Sequence, residues 1–400
     1  MWTALLSAIG VIGSIIWVCF FVTAGRNRSW VRYLAELSDA EPAGGWPSLA
    51  VVFAARDEET MVEQAARSML ALDYPALQVI AVDDRSRDAT GSILDRLAAM
   101  DPRLQVVHVA NLPAGWLGKT HALQAALELT RTDWVLFTDA DVVFAEGALR
   151  RAVAEAVAGD IAHVTVAPEL PTETLGERVF LAMFQTGLTM HSPGWRVQDP
   201  RYRAYLGIGA FNLVRAADFR AIGGFERIRL SVDDDMQLGR AMKWSGRKSR
   251  VILGPRAVSV RWQVGLGGMI RGLEKNFFAG ARFQLRRALA YQAAILVVGI
   301  APFVGLFVGP IWCRLVCGLG VATMALMLEL MGKQSGIRWF HALLMPVSSL
   351  VNMYALFQST WQTLRRGGVS WRGHLYPLQE LRAHVKMREE WMKQLWLSTR

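Results

Sequence analysis

The sequence predicts an α/β domain on a doubly wound, mainly parallel sheet, held between an N-terminal membrane helix and a C-terminal membrane region. Three observations carry that prediction. Residues 2–25 contain no charged side chain and, as a helix, are long enough to cross about 30 Å of hydrocarbon. From residue 48 to about residue 261, short apolar runs alternate with amphipathic segments. Beyond residue 261 the alternation stops and long apolar stretches return. With 52% hydrophobic residues in 400, the chain fills a large core and keeps apolar surface for a membrane.

Taken in order, residues 1–25 form the transmembrane anchor. A cleaved signal peptide would carry a basic segment after Met1 and an A-x-A site before Arg26, and the chain has neither. Residues 26–47 are a linker, in which Arg26, Arg28 and Arg32 place the α/β domain on the cytoplasmic side. EPAGGWP at residues 41–47 is a short hinge. Residues 48–262 are the α/β domain. SLAVVFAA, LQVIAVDD, LQVVHVA and DWVLFTDAD are nearly continuous in apolar side chains, as strands buried on both faces are. Between them, ETMVEQAARSMLAL, DATGSILDRLAAM and GKTHALQAALELT have helical spacing. Ligands of such a sheet bind beyond the carboxyl ends of its strands. Polar residues gather there, at 56–59, 83–88 and 139–141.

Residues 263–287 read as an amphipathic interface helix, with Arg271 and Lys275 one turn apart. Residues 288–364 hold apolar stretches at 288–310, 315–331 and 340–364, giving two or three membrane helices. Three spans starting from the cytoplasm would strand the basic tail outside, and Arg314, Glu329 and Lys333 shorten the middle stretch, so that one is read as re-entrant or interfacial. Residues 365–400 read as a basic, amphipathic, cytoplasmic tail, with Trp391 and Trp396 at the interface.

Charge supports this division. Residues 261–400 hold 17 of the 44 basic side chains but only 5 of the 34 acidic ones, which points to an anionic membrane surface as partner. The α/β part has no basic stripe with interleaved aromatics, which excludes a nucleic-acid binder. Cys19, Cys313 and Cys317 lie in or beside apolar spans and form neither a disulfide framework nor a zinc site. The sequence sets no oligomeric state.

Asp139 and Asp141 end an apolar strand as D-x-D, which turns both carboxylates to one side of the chain. Hard cations such as Mg2+ or Mn2+ take few carboxylates and complete their shell with substrate phosphate oxygens. A nucleotide diphosphate is the natural partner. Asp83 and Asp84 end a neighbouring strand, where carboxylates accept hydrogen bonds from a base or a ribose, whereas Asp88 is ordinary turn chemistry. LSVDDDMQLGR adds three adjacent acids, Asp233, Asp234 and Asp235, whose mutual repulsion raises the affinity of a base for its proton. His121 reads as a packed or surface histidine.

VVFAARDEE, VIAVDDRSRDAT, LGKTHALQAA, VLFTDADV and GAFNLVRAADFRAIGGF followed by DDDMQLGRAMKWSG together resemble, in order and spacing, the motifs of family 2 glycosyltransferases with the Rossmann-like GT-A fold. The resemblance covers residues 48–280 and is strongest to bacterial enzymes that glycosylate membrane lipids, hopanoid-associated and carotenoid glycosyltransferases, and more distantly to ceramide glucosyltransferases. WRGHLY at residues 371–376 is similar to their Trp-x-Gly-basic-x-Tyr tail.

The resemblance implies an inverting, metal-dependent transfer of a sugar from a nucleotide-diphosphate sugar, expected to be UDP-linked, to a membrane lipid at the bacterial inner membrane. It implies that Ala55, Arg56 and Glu58 line the nucleotide pocket, that Asp83 and Asp84 contact uracil and ribose, and that Asp139 and Asp141 hold Mg2+ or Mn2+ on the diphosphate. Lys119 would meet a phosphate or the donor sugar at a helix start. Asp235 would be the general base and Asp234 its partner, with Asp233 left as a helix-start or solvated residue. Gly207 and Gly209 would allow close backbone approach, to a ligand or within the fold. Arg271 and Lys275 would neutralise diphosphate or lipid headgroup. The Gln-x-x-Arg-Trp motif of processive polysaccharide synthases is absent, which favours single transfer over polymerisation. The intact acids argue against a non-catalytic scaffold or transporter.

Overall fold

The chain opens with α1 (Trp2–Arg26). Strand and helix then alternate as β1 (Leu49–Ala55), α2 (Val62–Leu70), β2 (Leu77–Asp84), α3 (Thr90–Ala98), β3 (Leu104–Val109), α4 (Gly118–Leu129) and β4 (Trp134–Asp139). Next come β5 (Val142–Phe144), α5 (Ala148–Ala158), β6 (His163–Glu169), α6 (Leu175–His191), α7 (Gly194–Gln198), β7 (Asn212–Arg215), α8 (Ala216–Ala221), α9 (Asp234–Trp244) and β8 (Ser249–Val260). The helices α10 (Gly265–Gly272), α11 (Asn276–Gly280), α12 (Leu285–Gly299), α13 (Ala301–Gly305), α14 (Ile311–Met331) and α15 (Met345–Arg366) come after β8. The hairpin β9 (Gly368–Trp371) and β10 (His374–Pro377) leads into α16 (Leu378–Leu397). This computed structural model describes residues 1–399; Arg400 and the side chains of Lys333 and Gln334 lie outside the described residues.

Two units share this path. The sheet unit comprises Val31–Glu169, Ser192–Arg261 and Ala383–Arg400, and the helical unit comprises Met1–Trp30, Leu170–His191 and Trp262–Arg382.

In the sheet unit the strand order is β3-β2-β1-β4-β7-β6-β8-β5. The four apolar runs singled out in the sequence are β1 to β4, all parallel. The added half is mixed, because β7 runs antiparallel to both β4 and β6. Order reverses between β1 and β4, since β2 and β3 lie on one side of β1 and the chain returns to its other side. At such a switch point the loops diverge and leave a crevice. Register sets Ala55 beside Asp83 and Ala54 beside Asp139, so three strands end together there. Behind β4, Phe137, Phe219 and Phe225 pack edge to face at 4.9–5.6 Å. Each such pair adds about 0.5–1.5 kcal/mol beyond its buried area, which holds β4 firmly under its terminal acid.

In the helical unit, small residues let α1 approach its neighbours closely. Going backward along α1, Gly13 faces Val297 and Pro302, Gly10 faces Ala301, where an added Cβ would come within 2.8 Å of the carbonyl oxygen, and Ser7 faces Gly309. The broken pair α12–α13 therefore runs antiparallel to α1. Cys317 lies on Gly10 and Gly320 on Ser14, so α14 runs parallel to it. Trp17 adds an indole hydrogen bond to the Val298 carbonyl at 2.9 Å. Helices without water between them associate through such packing.

Several expectations change. Among the described residues, three helices are long and apolar enough to cross a membrane: Trp2–Arg26, Ile311–Met331 and Trp339–Arg366. The stretch expected to be short, 315–331, lies in the unbroken 21-residue α14, and the interruption falls instead at Ile300, ahead of Pro302. The single helix expected at 263–287 is two short helices, α10 and α11, followed by left-handed residues Arg282 and Phe283 at φ 55° and 54°. Glycines at 272 and 280 weaken a continuous helix there. The tail is also different. From Ala383 onward it belongs to the sheet unit, where Met392 and Trp396 are buried against Trp244 instead of facing an interface.

Candidate active site

The site stands at the switch point of the sheet unit. Two loops after β1 and β2 are laced into one rim. Glu58 N donates to Thr90 Oγ1 at 2.8 Å, Glu59 N to Asp88 Oδ2 at 3.1 Å, and Arg87 N to Asp57 Oδ1 at 2.8 Å. Asp88 also accepts from Thr90 N at 3.0 Å, the turn role expected of it. Asp57 and Arg85 take left-handed backbone, φ 53° and 59°, to make these turns.

On this rim Asp83 and Asp84 are buried and already engaged. Asp83 accepts from Ser86 N at 3.2 Å and lies 3.0 Å from His108 Nδ1. Asp95 first, then Asp83, raise the pKa of that imidazole. Asp84 is gripped by Arg85 through two bonds of 2.7 and 2.9 Å. Ala55 ends β1 beside Asp83, and Arg56 lies 3.8 Å from Asp57.

Lys119 is set by the start of α4. Leu117 N and Thr120 Oγ1 both donate to the Arg229 carbonyl, at 3.0 and 2.6 Å, which pins that helix end without a side-chain cap. The Lys119 ammonium then reaches Asp139 Oδ1 at 2.6 Å and Asp234 Oδ2 at 3.4 Å. Burial alone would lower its pKa, but Asp139, Asp234 and Asp235 overcome that and raise it, so the ammonium stays charged.

Asp235, in the first turn of α9, accepts from Gly209 N at 2.8 Å and from its neighbour Met236 N at 2.7 Å. Burial and the adjacent Asp234 push its pKa up to about 7 against the pull of Lys119. Both loop glycines are required here. A Cβ on Gly209 would collide with the Asp139 carboxylate, and one on Gly207 with the Asp235 carbonyl. The close approach for which these glycines were singled out is therefore between the loop, the strand end and the first turn of α9.

Asp141 follows β4. Burial, then Asp139 and Glu58, raise its pKa to about 7. That surplus of negative charge suits a divalent cation. Among the described residues no group of three His, Cys, Asp or Glu side chains is arranged to hold an ion. Two aspartates, with phosphate oxygens and water for the rest, is the shell that Mg2+ and Mn2+ accept.

Of the two readings of Asp233, helix-start or solvated, the first holds by position, since Asp233 directly precedes α9, and the second does not. It forms no side-chain cap on α9. Its carboxylate accepts from Gln237 Nε2 at 2.7 Å and lies 3.5 Å from the buried guanidinium of Arg388. Arg271 and Lys275 lie in the helical unit, Arg271 exposed and Lys275 stacked 3.8 Å over the ring of Trp371. The expected WRGHLY signature is the β9–β10 hairpin, with Arg372 and Gly373 at positive φ in its turn.

Sequence reasoning missed Arg85, His108, Arg240, Arg388 and Glu389. His108 carried a faint signal, a polar residue in the apolar run LQVVHVA, but its pairing with Asp83 exists only through strand register.

Residues 50–203 match the model described as glycosyl transferase family 2. The 4,4'-diaponeurosporenoate glycosyltransferase of Staphylococcus aureus is 25% identical over 348 residues, 83% of this chain and 89% of that protein. The beta-monoglucosyldiacylglycerol synthase of Synechocystis is 36% identical over 110 residues, 27% of this chain and 22% of that one. A mannosyltransferase from Pyrobaculum calidifontis, solved in complex with GDP-Man and Mn2+, superposes with a TM-score of 0.54 at 16% identity, covering 91% of this chain and 99% of its own. That likeness is one of fold. The sheet unit thus has a GT-A-like core, its residues 50–203 match glycosyl transferase family 2, and the chain is a glycosyltransferase.

Proposed function

We propose that this chain transfers a sugar, with inversion at the anomeric carbon, from a nucleotide-diphosphate sugar to a hydroxyl of a membrane lipid, UDP being the expected nucleotide. The observation that carries the reading is Asp235, a carboxylate of raised proton affinity, aimed by Gly209 N beside the Lys119–Asp139 pair. The lipid acceptor is supported by the names of two relatives, which specify 4,4'-diaponeurosporenoate and a glucosyldiacylglycerol, and by three helices suited to a membrane.

In this reading Ala55, Arg56 and Glu58 border the nucleotide, with Asp83 and Asp84 toward base and ribose. Lys119 neutralises the diphosphate. Asp139 and Asp141 would hold Mg2+ or Mn2+, which would stabilise the departing diphosphate as a Lewis acid. The acceptor oxygen forms its bond to the anomeric carbon from the face opposite the leaving group, the bond from that carbon to phosphate oxygen breaks, and the hydroxyl proton passes to Asp235. Asp234 keeps Lys119 in place beside the reacting groups.

Helix direction supports one membrane path. α14 runs parallel to α1, so it starts on the side where Met1 lies, and the broken α12–α13 has to make the return crossing. α15 exposes Val347, Leu350, Tyr354, Phe357, Trp361 and Leu364 along one stripe and buries Ser348, Ser349, Asn352, Ser359, Thr360 and Thr363 on the other. Such a helix fits the interface plane. Crossings by α1, α12–α13 and α14 leave both the sheet unit and the basic residues Arg365, Arg366 and Arg372 on the cytoplasmic side of the inner membrane, in keeping with the charge rule.

Two measurements test this. Purified protein incubated with native membrane lipids and a panel of nucleotide sugars should yield lipids carrying one or two sugars by mass spectrometry, and a polymer ladder would refute single transfer. In a background with Cys19, Cys313 and Cys317 replaced by serine, Phe307→Cys should react with an impermeant maleimide in intact cells. Reaction only after lysis would sink the three-crossing path.

A further inference from the structure

One face of α9 is occupied by the C-terminal tail. Asp233, Gln237 and Arg240 share that face at i, i+4 and i+7 spacing. Arg240, 2% exposed, lies 4.0 Å over the ring of Trp244 and donates both terminal nitrogens to Glu389, at 2.5 and 2.8 Å. Arg388, 3% exposed, donates to Ser231 Oγ at 2.8 Å, lies 3.5 Å from Asp233 and 3.6 Å from Glu389. Gln237 closes the circuit to Asp233.

An aspartate at a helix start ordinarily caps the free N–H groups. Asp233 does not, and turns its carboxylate to Gln237 and the tail. An ionic network around two buried guanidinium groups is a poor device for stability, because their desolvation offsets most of the attraction; the best attested use of such pairs is to fix register and orientation. What it orients is the first turn of α9, where Asp235 sits two residues from Asp233. The other restraints on Asp235 are the hydrogen bonds from Gly209 N and Met236 N.

We propose that Arg388 and Glu389 of α16 are positioning residues, which lock the first turn of α9 through Asp233 and Arg240 so that Asp235 meets the acceptor hydroxyl in one orientation. The inference rests on Asp235 as the base. It gives the distal end of the chain a part in the chemistry that residues 50–203 alone do not complete.

The test uses full-length protein. Arg240→Met with Glu389→Met replaces the buried pair by apolar side chains of similar length. Its expected behaviour is an unchanged thermal midpoint and UDP affinity with kcat lower by about 10- to 100-fold, the scale of an ångström-sized misplacement. Arg388→Lys, which keeps charge and loses the fork, should show a smaller loss of the same kind. If the double variant does not fold, Glu389→Gln read on its folded fraction carries the same comparison. Wild-type kcat in these variants, or kcat and UDP affinity falling together, overturns the proposal. Asp235→Asn separates the two layers: wild-type transfer by that variant removes the base itself, whereas its inactivity beside a fully active Arg240/Glu389 double variant removes only the positioning role.

Discussion

Asp235 and Lys119 divide the labour of one small electrostatic site. Lys119 stays protonated because three carboxylates surround it, and Asp235 binds a proton readily because it is buried beside Asp234. A base must be ionised to act, so kcat/KM should rise with pH up to about 7 and then level. Asp235→Asn should lower kcat by about 10²–10⁴-fold while leaving UDP affinity intact. Stability has the opposite sign. A carboxyl with a raised folded pKa contributes fully below its unfolded value of about 4, and that contribution is lost as pH rises through about 7. Asp235→Asn should therefore raise Tm over wild type by more at pH 8 than at pH 5, and an equal shift at both would contradict the burial of that charge. Gly209→Ala should abolish transfer with the protein still folded, since its methyl would enter the Asp139 carboxylate. Asp139, Asp141, Asp235 and Lys119 were legible in the sequence because each sits in a motif with a spacing. Arg85 and His108 were not, because their partners are set by a positive-φ turn and by strand register.

At the scale of elements, β1 to β4 could be read directly, since strands covered on both faces must be apolar throughout. β7 and β8 were not, as their polarity is mixed and β7 spans only four residues. The tail misled for a different reason. MREEWMKQLW has the pattern of a surface amphipathic helix, and nothing local reveals that Arg388 will be buried beside Asp233 and that Glu389 will pair with the buried Arg240. In the helical unit, charges at 314, 329 and 333 suggested a short middle span, yet helix continuity is decided by backbone, and the break falls at Ile300, Ala301 and Pro302. Close packing there makes a definite demand. Gly13→Leu would drive a side chain into the Val297 carbonyl. It should destabilise the unit by about 1–3 kcal/mol, as overpacking does, seen as a lower thermal midpoint in detergent. An unchanged midpoint would mean that α1 does not pack on α12–α13.

For the whole molecule, sequence motifs pointed to family 2 glycosyltransferases and the GT-A fold; the family model matches residues 50–203, and the mannosyltransferase structure bears out the fold. Spacing did not reveal that the chain leaves the sheet unit at residue 170, returns at 192 and comes back a last time at 383. The helices suited to a membrane lie in the helical unit and the proposed sugar-transfer site in the sheet unit. The most direct test of the central claim is mass spectrometry of the lipid fraction after incubation of purified full-length protein, wild type and Asp235→Asn, with native membrane lipids and nucleotide sugars. The wild type should add one or two sugars to a lipid, and Asp235→Asn should form that product about 10²–10⁴-fold more slowly. Sugar appearing only as free product or as polymer, or on lipid to the same extent with Asp235→Asn, would contradict it.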